Sequence, residues 1–373
     1  MSNPTLRTLA KMLGLSRTTV SDALRGSPRV RADTIERVKA AAESVGYHRN
    51  PLTGTVMSLL RRSSGQEFRG VIGAIEIVPP NRTIHASHYT EALMSGINRR
   101  AADLGFKVEK FDIGPQGMTM RRLDTILQAR GIKALVLLPA MGFPDFSALD
   151  WTRFTAVYTD YFIDQPPLHC VCSDHYRSMV ALLQELHRRG YRRPGLFMDV
   201  PLDERLQYRW EGAFMALQSY LPGVETVPPL RVRETTRGAF MAWFNKNRPD
   251  VVIGHEAEGL KWLRAAGHRV PEDVGFVCLN SLRATPDCAA LDFQADQLGY
   301  RAAELVTAQL LHNEMGGSTQ PSLTTIPAKW VEGKTLLATK PVPAALPTKS
   351  EKGPKVSKRA PGKTPAKKKP RAA

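Results

Sequence analysis

From Val71 to His312 the chain alternates short, continuously apolar runs with longer segments of helical period, and this rhythm restricts the fold more than any other feature. VIGAIEIV (71–78), TAVYT (155–159), GLFMDV (195–200), VVIG (251–254) and VGFVCL (274–279) each precede a helix-like segment. Those segments span 90–104, 174–189, 205–219, 257–266 and 296–312, while ALVLL (134–138) follows another at 119–129. Runs without polar alternation suit parallel strands covered by helices on both faces. Six to eight such units exceed one compact sheet, so the expected fold class is α/β with two lobes. Beyond Trp330 the pattern fades. Residues 339–373 are Lys, Pro and Ala with almost no bulky apolar side chain, which predicts a disordered basic tail.

The formal net charge of +17 resides at the two ends of the chain. Residues 1–62 carry eleven Lys and Arg against four Asp and Glu, and residues 340–373 carry eleven against the single Glu351. The span 63–339 holds thirty of each and is neutral. Charge concentrated in this way is a footprint for a polyanion, with nucleic acid first and anionic membrane second. No stretch approaches the roughly 18 apolar residues of a spanning helix. The polar N-terminus lacks the apolar core and cleavage site of an export signal. A cytoplasmic, nucleoid-associated chain without a membrane partner is expected. Cys170, Cys172, Cys278 and Cys288 form one C-x-C and no C-x-x-C, which suits reduced thiols even with His169 and His175 nearby. Neither a metal site nor a cofactor is expected. The sequence has no P-loop, G-x-S-x-G or H-E-x-x-H, so no catalytic residue is assigned and no enzyme is expected.

The first sixty residues read as three short helices. Thr5 precedes the first, which carries Leu6, Leu9, Ala10 and Leu13 and is broken by Gly14. Ser16 is placed to cap the second, with Val20, Ala23 and Leu24, and the third runs from Ala32 to Val45. A helix-turn-helix needs a small residue where the helices cross, a turn residue tolerant of positive φ, and an apolar anchor in the second helix. Ala10, Gly14 and Val20 meet these needs at spacings of four and six. Leu6, Leu9, Leu15 and Leu24 would supply the small core.

TLAKMLGLSRTTVSDALRG followed by TIERVKAAAESVGYHRNP resembles the headpiece of the LacI/GalR (lactose/galactose-repressor) family. GINRRAADLGF (96–106), RGIKALVLLP (130–139), LHRRGYRRPGLF (186–197), RWEGAFMAL (209–217) and WVEGKTL (330–336) extend the likeness over about residues 4–337. The resemblance implies a helix-turn-helix headpiece at 1–50, a hinge at 51–67, a two-lobed periplasmic-binding-protein-like sensor and dimerisation domain at 68–337, and a tail at 338–373. It implies a homodimeric transcription regulator, acting as a repressor, that binds double-stranded DNA at a palindromic operator and answers to a small polar effector of the sugar class. Arg17, Thr18 and Asp22 would face base edges; Ser16, Ser21, Arg25, Arg29, Arg31 and Thr34 would reach phosphates; Tyr47 and Asn50 would sit at the end of the third helix, and Thr5 belongs to the DNA-binding set as well. Val56 aligns with an apolar wedge for the minor groove.

Two positions depart from the family pattern. Asp22 stands where an Arg is usual, and a carboxylate can accept from cytosine N4 but cannot bind guanine acceptors. Gly54 weakens a hinge helix by about 1 kcal/mol. In the sensor the resemblance points to Tyr89, Asp160, Arg209, His255 and Asn280 as effector-binding residues in the cleft. An architectural, largely non-specific DNA-binding protein using its basic ends is the alternative.

Overall fold

A computed structural model describes residues 6–24, 27, 30–45, 68–80, 83–115, 117–140, 145–161 and 165–338. The N-terminal unit contains α1 (Leu6–Leu13), α2 (Arg17–Leu24) and α3 (Ala32–Ser44). Gly14 takes φ +66°, the left-handed turn its position requires, and the Leu15 N–H bonds Ala10 O at 3.0 Å. Ser16 caps α2 as expected, its Oγ accepting from the Thr19 N–H at 3.0 Å. Leu9, Ala10, Val20, Ala23, Val38 and Ala42 bury a core shared by all three helices.

The remainder forms two lobes, each on a six-stranded sheet. The first lobe takes β1 (Gly70–Ile77), α4 (Ile84–Asp103), β2 (Phe106–Ile113), α5 (Met120–Ala129), β3 (Ala134–Leu137), β4 (Thr155–Tyr158) and β5 (His169–Ser173). The second takes α6 (His175–Arg189), β6 (Pro194–Asp199), α7 (Val200–Arg205), α8 (Arg209–Gln218), β7 (Leu230–Val232), α9 (Arg237–Asn247), β8 (Val251–Gly254), α10 (Glu258–Ala265), β9 (Gly275–Cys278) and β10 (Ala289–Asp292). The chain then returns to the first lobe with α11 (Ala295–His312) and β11 (Leu323–Ile326), and ends in the second with β12 (Lys329–Val331). The sheet orders are β11-β5-β4-β3-β1-β2 and β12-β10-β9-β8-β6-β7. All pairings are parallel except β10 with β12, so the second sheet is mixed where an all-parallel one was expected. A short terminal strand can reverse because it needs no helical crossover to reach the edge.

The continuous apolar runs are explained by burial on both faces. In β3, Leu135 and Leu137 pack with Leu123 and Leu127 of α5, while Ala134 and Val136 pack with Leu93 and Ile97 of α4 and Val306 of α11. Helix α4 begins at Ile84 rather than near residue 90, because the Thr83 hydroxyl caps it by accepting from the Ala86 N–H. It crosses α11 at backbone contact: a Cβ on Gly96 would stand 1.8 Å from Asp296 O, and one on Gly299 2.0 Å from Leu93 O. The helix expected over 205–219 is divided into α7 and α8 by Gln207 and Tyr208, at φ 56° and 55°.

The chain passes between lobes three times, at residues 173–175, 292–295 and 326–329, and these passages are bonded to one another. Asp174 N–H bonds Ile326 O at 2.9 Å, Thr325 Oγ1 donates to the Asp174 carboxylate at 3.2 Å, and Gln294 Nε2 donates to Pro327 O at 2.8 Å. Beyond β12, Glu332 receives the two-pronged fork of Arg189, both contacts at 2.8 Å, and Trp330 lies under the same guanidinium. The WVEG segment thereby fastens the end of the described chain to α6.

Candidate effector cleft and DNA-facing helices

In each lobe the strand order reverses beside the first strand, β1 or β6, and in open α/β sheets ligands bind outside the carboxyl ends of strands at such a switch point. The two sheets bring these ends face to face around a cavity of about 160 Å³. Glu76 and Ile77 end β1, Thr159 and Asp160 follow β4, and Ser173 ends β5. From the second lobe come Leu202 and Arg205 on α7, His255 after β8 and Asn280 after β9. The volume far exceeds the roughly 10–15 Å³ one water requires and lies below the roughly 300 Å³ at which drug-sized pockets begin. It suits a small ligand.

Of the expected effector residues, Tyr89, Asp160, His255 and Asn280 line this cavity together. Arg209 does not; its guanidinium lies over the Tyr161 ring, 4.3 Å from the centroid, and Nη2 reaches Gln207 at 3.3 Å. The guanidinium at the cavity wall is Arg205, four residues earlier. It pairs with Asp160 across the cleft, and the Tyr161 N–H holds the other oxygen of that carboxylate at 3.0 Å. Burial raises the Asp160 carboxyl above its ordinary range against the opposing pull of Arg205, while Asp160 in turn raises the guanidinium. A second bridge joins the lobes where His85 Nδ1–H donates to Leu282 O at 2.9 Å.

Sequence reasoning also missed Glu76, His85, His175 and Arg283, all on the wall. Glu76 is buried, accepting from the Thr90 hydroxyl at 3.1 Å and pairing with Lys110 at 2.6 Å. His175 sits where the first passage leaves β5, edge-on to Trp210 and Phe293. Its Nδ1 lies 2.9 Å from Tyr161 OH, which itself donates to Ser173 O at 2.9 Å. A hydroxyl has one proton, so Nδ1–H must be the donor to Tyr161. Burial, with Arg205 and Arg209 adding to it, depresses His175 to about 3. His255 is likewise held well below its ordinary value, first by burial and then by Arg283 and Arg205. Both imidazoles are therefore neutral near pH 7. Among the described residues, His255 Nδ1 and Arg205 Nε are buried without a hydrogen-bond partner. With the Asn280 amide they offer a polyhydroxylated molecule both donors and acceptors beside the half-buried Tyr89 ring.

The left-handed pair Gln207–Tyr208 positions Arg205. Two such residues cost on the order of 1–3 kcal/mol each. Buried Asp203 holds them by accepting from the Trp210 and Glu211 N–H groups at 3.2 and 3.1 Å, while its carbonyl takes the Tyr208 N–H at 2.8 Å.

In the headpiece, Ser16 is committed to capping, Asp22 is half-buried, and Arg31 is exposed at the N-terminus of α3. Thr34 donates its hydroxyl and N–H to Asp33 at 3.2 and 2.7 Å. The side chains of Arg17, Thr18 and Ser21, and residues Thr5, Arg25, Arg29, Tyr47, Asn50, Gly54 and Val56 altogether, lie outside the described residues. Among the described residues no helix is long and apolar enough to cross a membrane.

Comparison with known proteins agrees with both units. Residues 5–50 match the model of bacterial regulatory proteins of the lacI family, and residues 183–336 match that of the periplasmic binding protein-like domain. The chain is 33% identical over 108 residues to the maltose regulon regulatory protein MalI of Vibrio furnissii, spanning 29% of this chain and 75% of that one. It is 24% identical over 339 residues to the HTH-type transcriptional regulator GntR of Pseudomonas aeruginosa, spanning 84% of this chain and 92% of the relative. Among solved structures, a complex of the transcriptional regulator CelR with cellobiose superposes with a TM-score of 0.56 at 22% identity, covering 89% of this chain and 99% of that one.

Proposed function

This chain belongs to the lacI family of bacterial regulatory proteins and is a DNA-binding transcription regulator; on that premise we propose that a small effector of the sugar class occupies the interlobe cavity and sets the affinity of the headpiece for operator DNA. The observation that carries this reading is the convergence of Tyr89, Asp160, His255 and Asn280 from four separate segments on one cavity. A ligand touching both lobes binds the closed arrangement better than an open one, and only such differential affinity shifts a conformational equilibrium. The solved CelR relative was captured with cellobiose, which supports a carbohydrate, and a cavity of about 160 Å³ favours a single ring.

In this reading residues 1–50 read the operator, 51–67 link, 68–337 sense and dimerise, and 338–373 add basic charge. The protein acts as a cytoplasmic repressor. One recognition helix of eight residues reads too few base pairs to select a genomic site, so two copies act on a palindrome. A purely architectural DNA-binding protein would have no use for the polar cavity.

Calorimetry of the full chain with a panel of monosaccharides, followed by operator titration with and without the best binder, tests the proposal. Coupling of about 1–3 kcal/mol is expected. No heat from any sugar and an unchanged operator affinity would overturn the effector reading. Selection from a random DNA pool should return two-fold symmetric sites; asymmetric ones would refute the dimeric mode. Arg17→Ala should cost about 1–3 kcal/mol at one symmetric position, whereas Arg31→Ala should weaken all sequences alike.

A further inference from the structure

Among the described residues the cavity wall carries two carboxylates and two guanidiniums, and their partners differ. Glu76 is buried against Lys110 and the Thr90 hydroxyl. Asp160 is buried against Arg205. Asp160 thus has its countercharge within the cleft, and Glu76 has the buried Thr90 hydroxyl beside a Lys110 whose side chain is 31% exposed. Arg283, on the turn after Asn280, is paired instead with Glu256, whose side chain is 48% exposed and stands outside the cavity wall. The Arg283 side chain itself is only 21% exposed. The other carboxylate acting on it, Asp199, already accepts from the Thr235 N–H and hydroxyl at 2.8 and 2.6 Å.

Resting on the cavity as the effector site, we propose that the effector carries a carboxylate which Arg283 receives, so that the cleft selects a sugar acid over the parent neutral sugar. An ion pair with a half-exposed partner is weakly held, because water screens it and the long side chains lose entropy in forming it. A ligand carboxylate delivered to the cavity side meets the same cation where water is excluded, and a planar guanidinium fork matches a carboxylate in two parallel hydrogen bonds. The surroundings favour the exchange. Burial, and the like charge of Arg205, push Arg283 below its ordinary value, so an added anion relieves a cation that the site presently disfavours. His255 stays neutral beside both guanidiniums, and its buried Nδ1 is suited to a ligand hydroxyl rather than to the carboxylate. Glu256 then turns to solvent, and the ligand gives Arg283 a partner on the cavity side, as Asp160 already gives Arg205.

The test is calorimetry on the full chain with D-glucose, D-gluconate, D-glucuronate and glucose 6-phosphate, repeated for the galactose series. One or more acids should bind roughly 10- to 100-fold tighter than the neutral sugar of the same skeleton, the range expected for a hydrogen-bonded charge. Arg283→Gln should erase that gap, Arg283→Lys should restore part of it, and Glu256→Gln should widen it. Neutral sugars binding as well as their acids, or a gap that survives Arg283→Gln, would overturn the carboxylate assignment and leave the effector cavity standing. Preference for the phosphate over both acids would overturn it in favour of a dianion. Failure of every compound to bind would overturn this assignment and the sugar-class reading together.

Discussion

Arg205 and Asp160 join the two lobes by an ion pair, the guanidinium from the six-residue α7 after β6 and the carboxylate from two residues beyond β4. Both are largely withdrawn from water, with side chains 23% and 9% exposed. If the lobes part, water can reach each charge. The pair therefore bears on closure more than on the folding of either lobe.

Arg205→Ala should accordingly weaken effector binding by about 3 kcal/mol, the lower part of the range for breaking a buried pair, since a closed cleft would trap an unanswered carboxylate. Small-angle scattering of the ligand-free variant should show a more open particle, with a melting temperature close to that of the parent. The double variant Arg205→Met, Asp160→Leu should recover the compact form, because apolar replacement of both partners removes the desolvation cost. A variant as compact as the parent, with unaltered affinity, would dismiss the pair as a latch.

Position 205 was not legible in the sequence, and the reason lies in two backbone angles. The stretch from Arg205 to Ser219 has neither Gly nor Pro before Gly212, so it reads as one helix, and the family resemblance points to Arg209 within it. Left-handed Gln207 and Tyr208 break it, and that conformation is stabilised from a distance by Asp203. By contrast, Ala10, Gly14 and Val20 act within one local motif, and the helix-turn-helix followed directly from their spacing. Strands buried on both faces, such as β3, β8 and β9, were visible as unbroken apolar runs. β2, β7, β11 and β12 lie at sheet edges or show mixed burial, and no period distinguished them from loops. His175 and Arg283 became candidates only when the fold brought separate loops to one cavity.

Gly96→Ala and Gly299→Ala should each destabilise the protein by about 1–3 kcal/mol or more, because the added methyl meets backbone that cannot rotate away. Gly212→Ala in α8 supplies the contrast. A Cβ there meets nothing within 4 Å, so the substitution should stabilise by up to about 1 kcal/mol through helix propensity alone. Urea denaturation of the three variants distinguishes close helix crossing from glycine's general cost. Equal effects at all three positions would contradict the crossing.

The depressed His175 sets a direction for pH dependence. Its folded value of about 3 lies below the ordinary imidazole value of 6.5, so the unfolded chain binds the proton more readily. Above pH 6.5 both states are neutral and the group contributes no slope. As pH falls from 6.5 towards 3 the unfolded state gains protons first, and stability should drop by up to about 1.4 kcal/mol per pH unit from this group. His255, lowered in the same direction, adds to the fall. Denaturation curves between pH 7 and pH 5 should give a shallower slope for His175→Asn than for the parent. Parallel slopes would show that His175 titrates normally in the folded protein.

The tail prediction concerns how the two basic ends divide their work. Residues 340–373 hold eleven Lys and Arg against one Glu, dispersed among Pro and Ala, and they lie outside the described residues. Cationic side chains can neutralise phosphates and release counterions without reading bases, and each neutralised phosphate steepens the log–log salt dependence of duplex binding by about 0.9. The headpiece, by contrast, holds its second helix in place through the Ser16 cap, the Gly14 turn and a shared core. Removing residues 339–373 should therefore reduce affinity for operator and scrambled DNA by the same factor and flatten both salt dependences by several such increments. The preference for operator, measured as the ratio of the two affinities at one salt concentration, should not change. Fluorescence anisotropy of the full chain and the 1–338 truncation across a salt series measures both quantities. Coincident slopes would mean that the tail makes no phosphate contact. A changed operator preference would mean that it takes part in recognition.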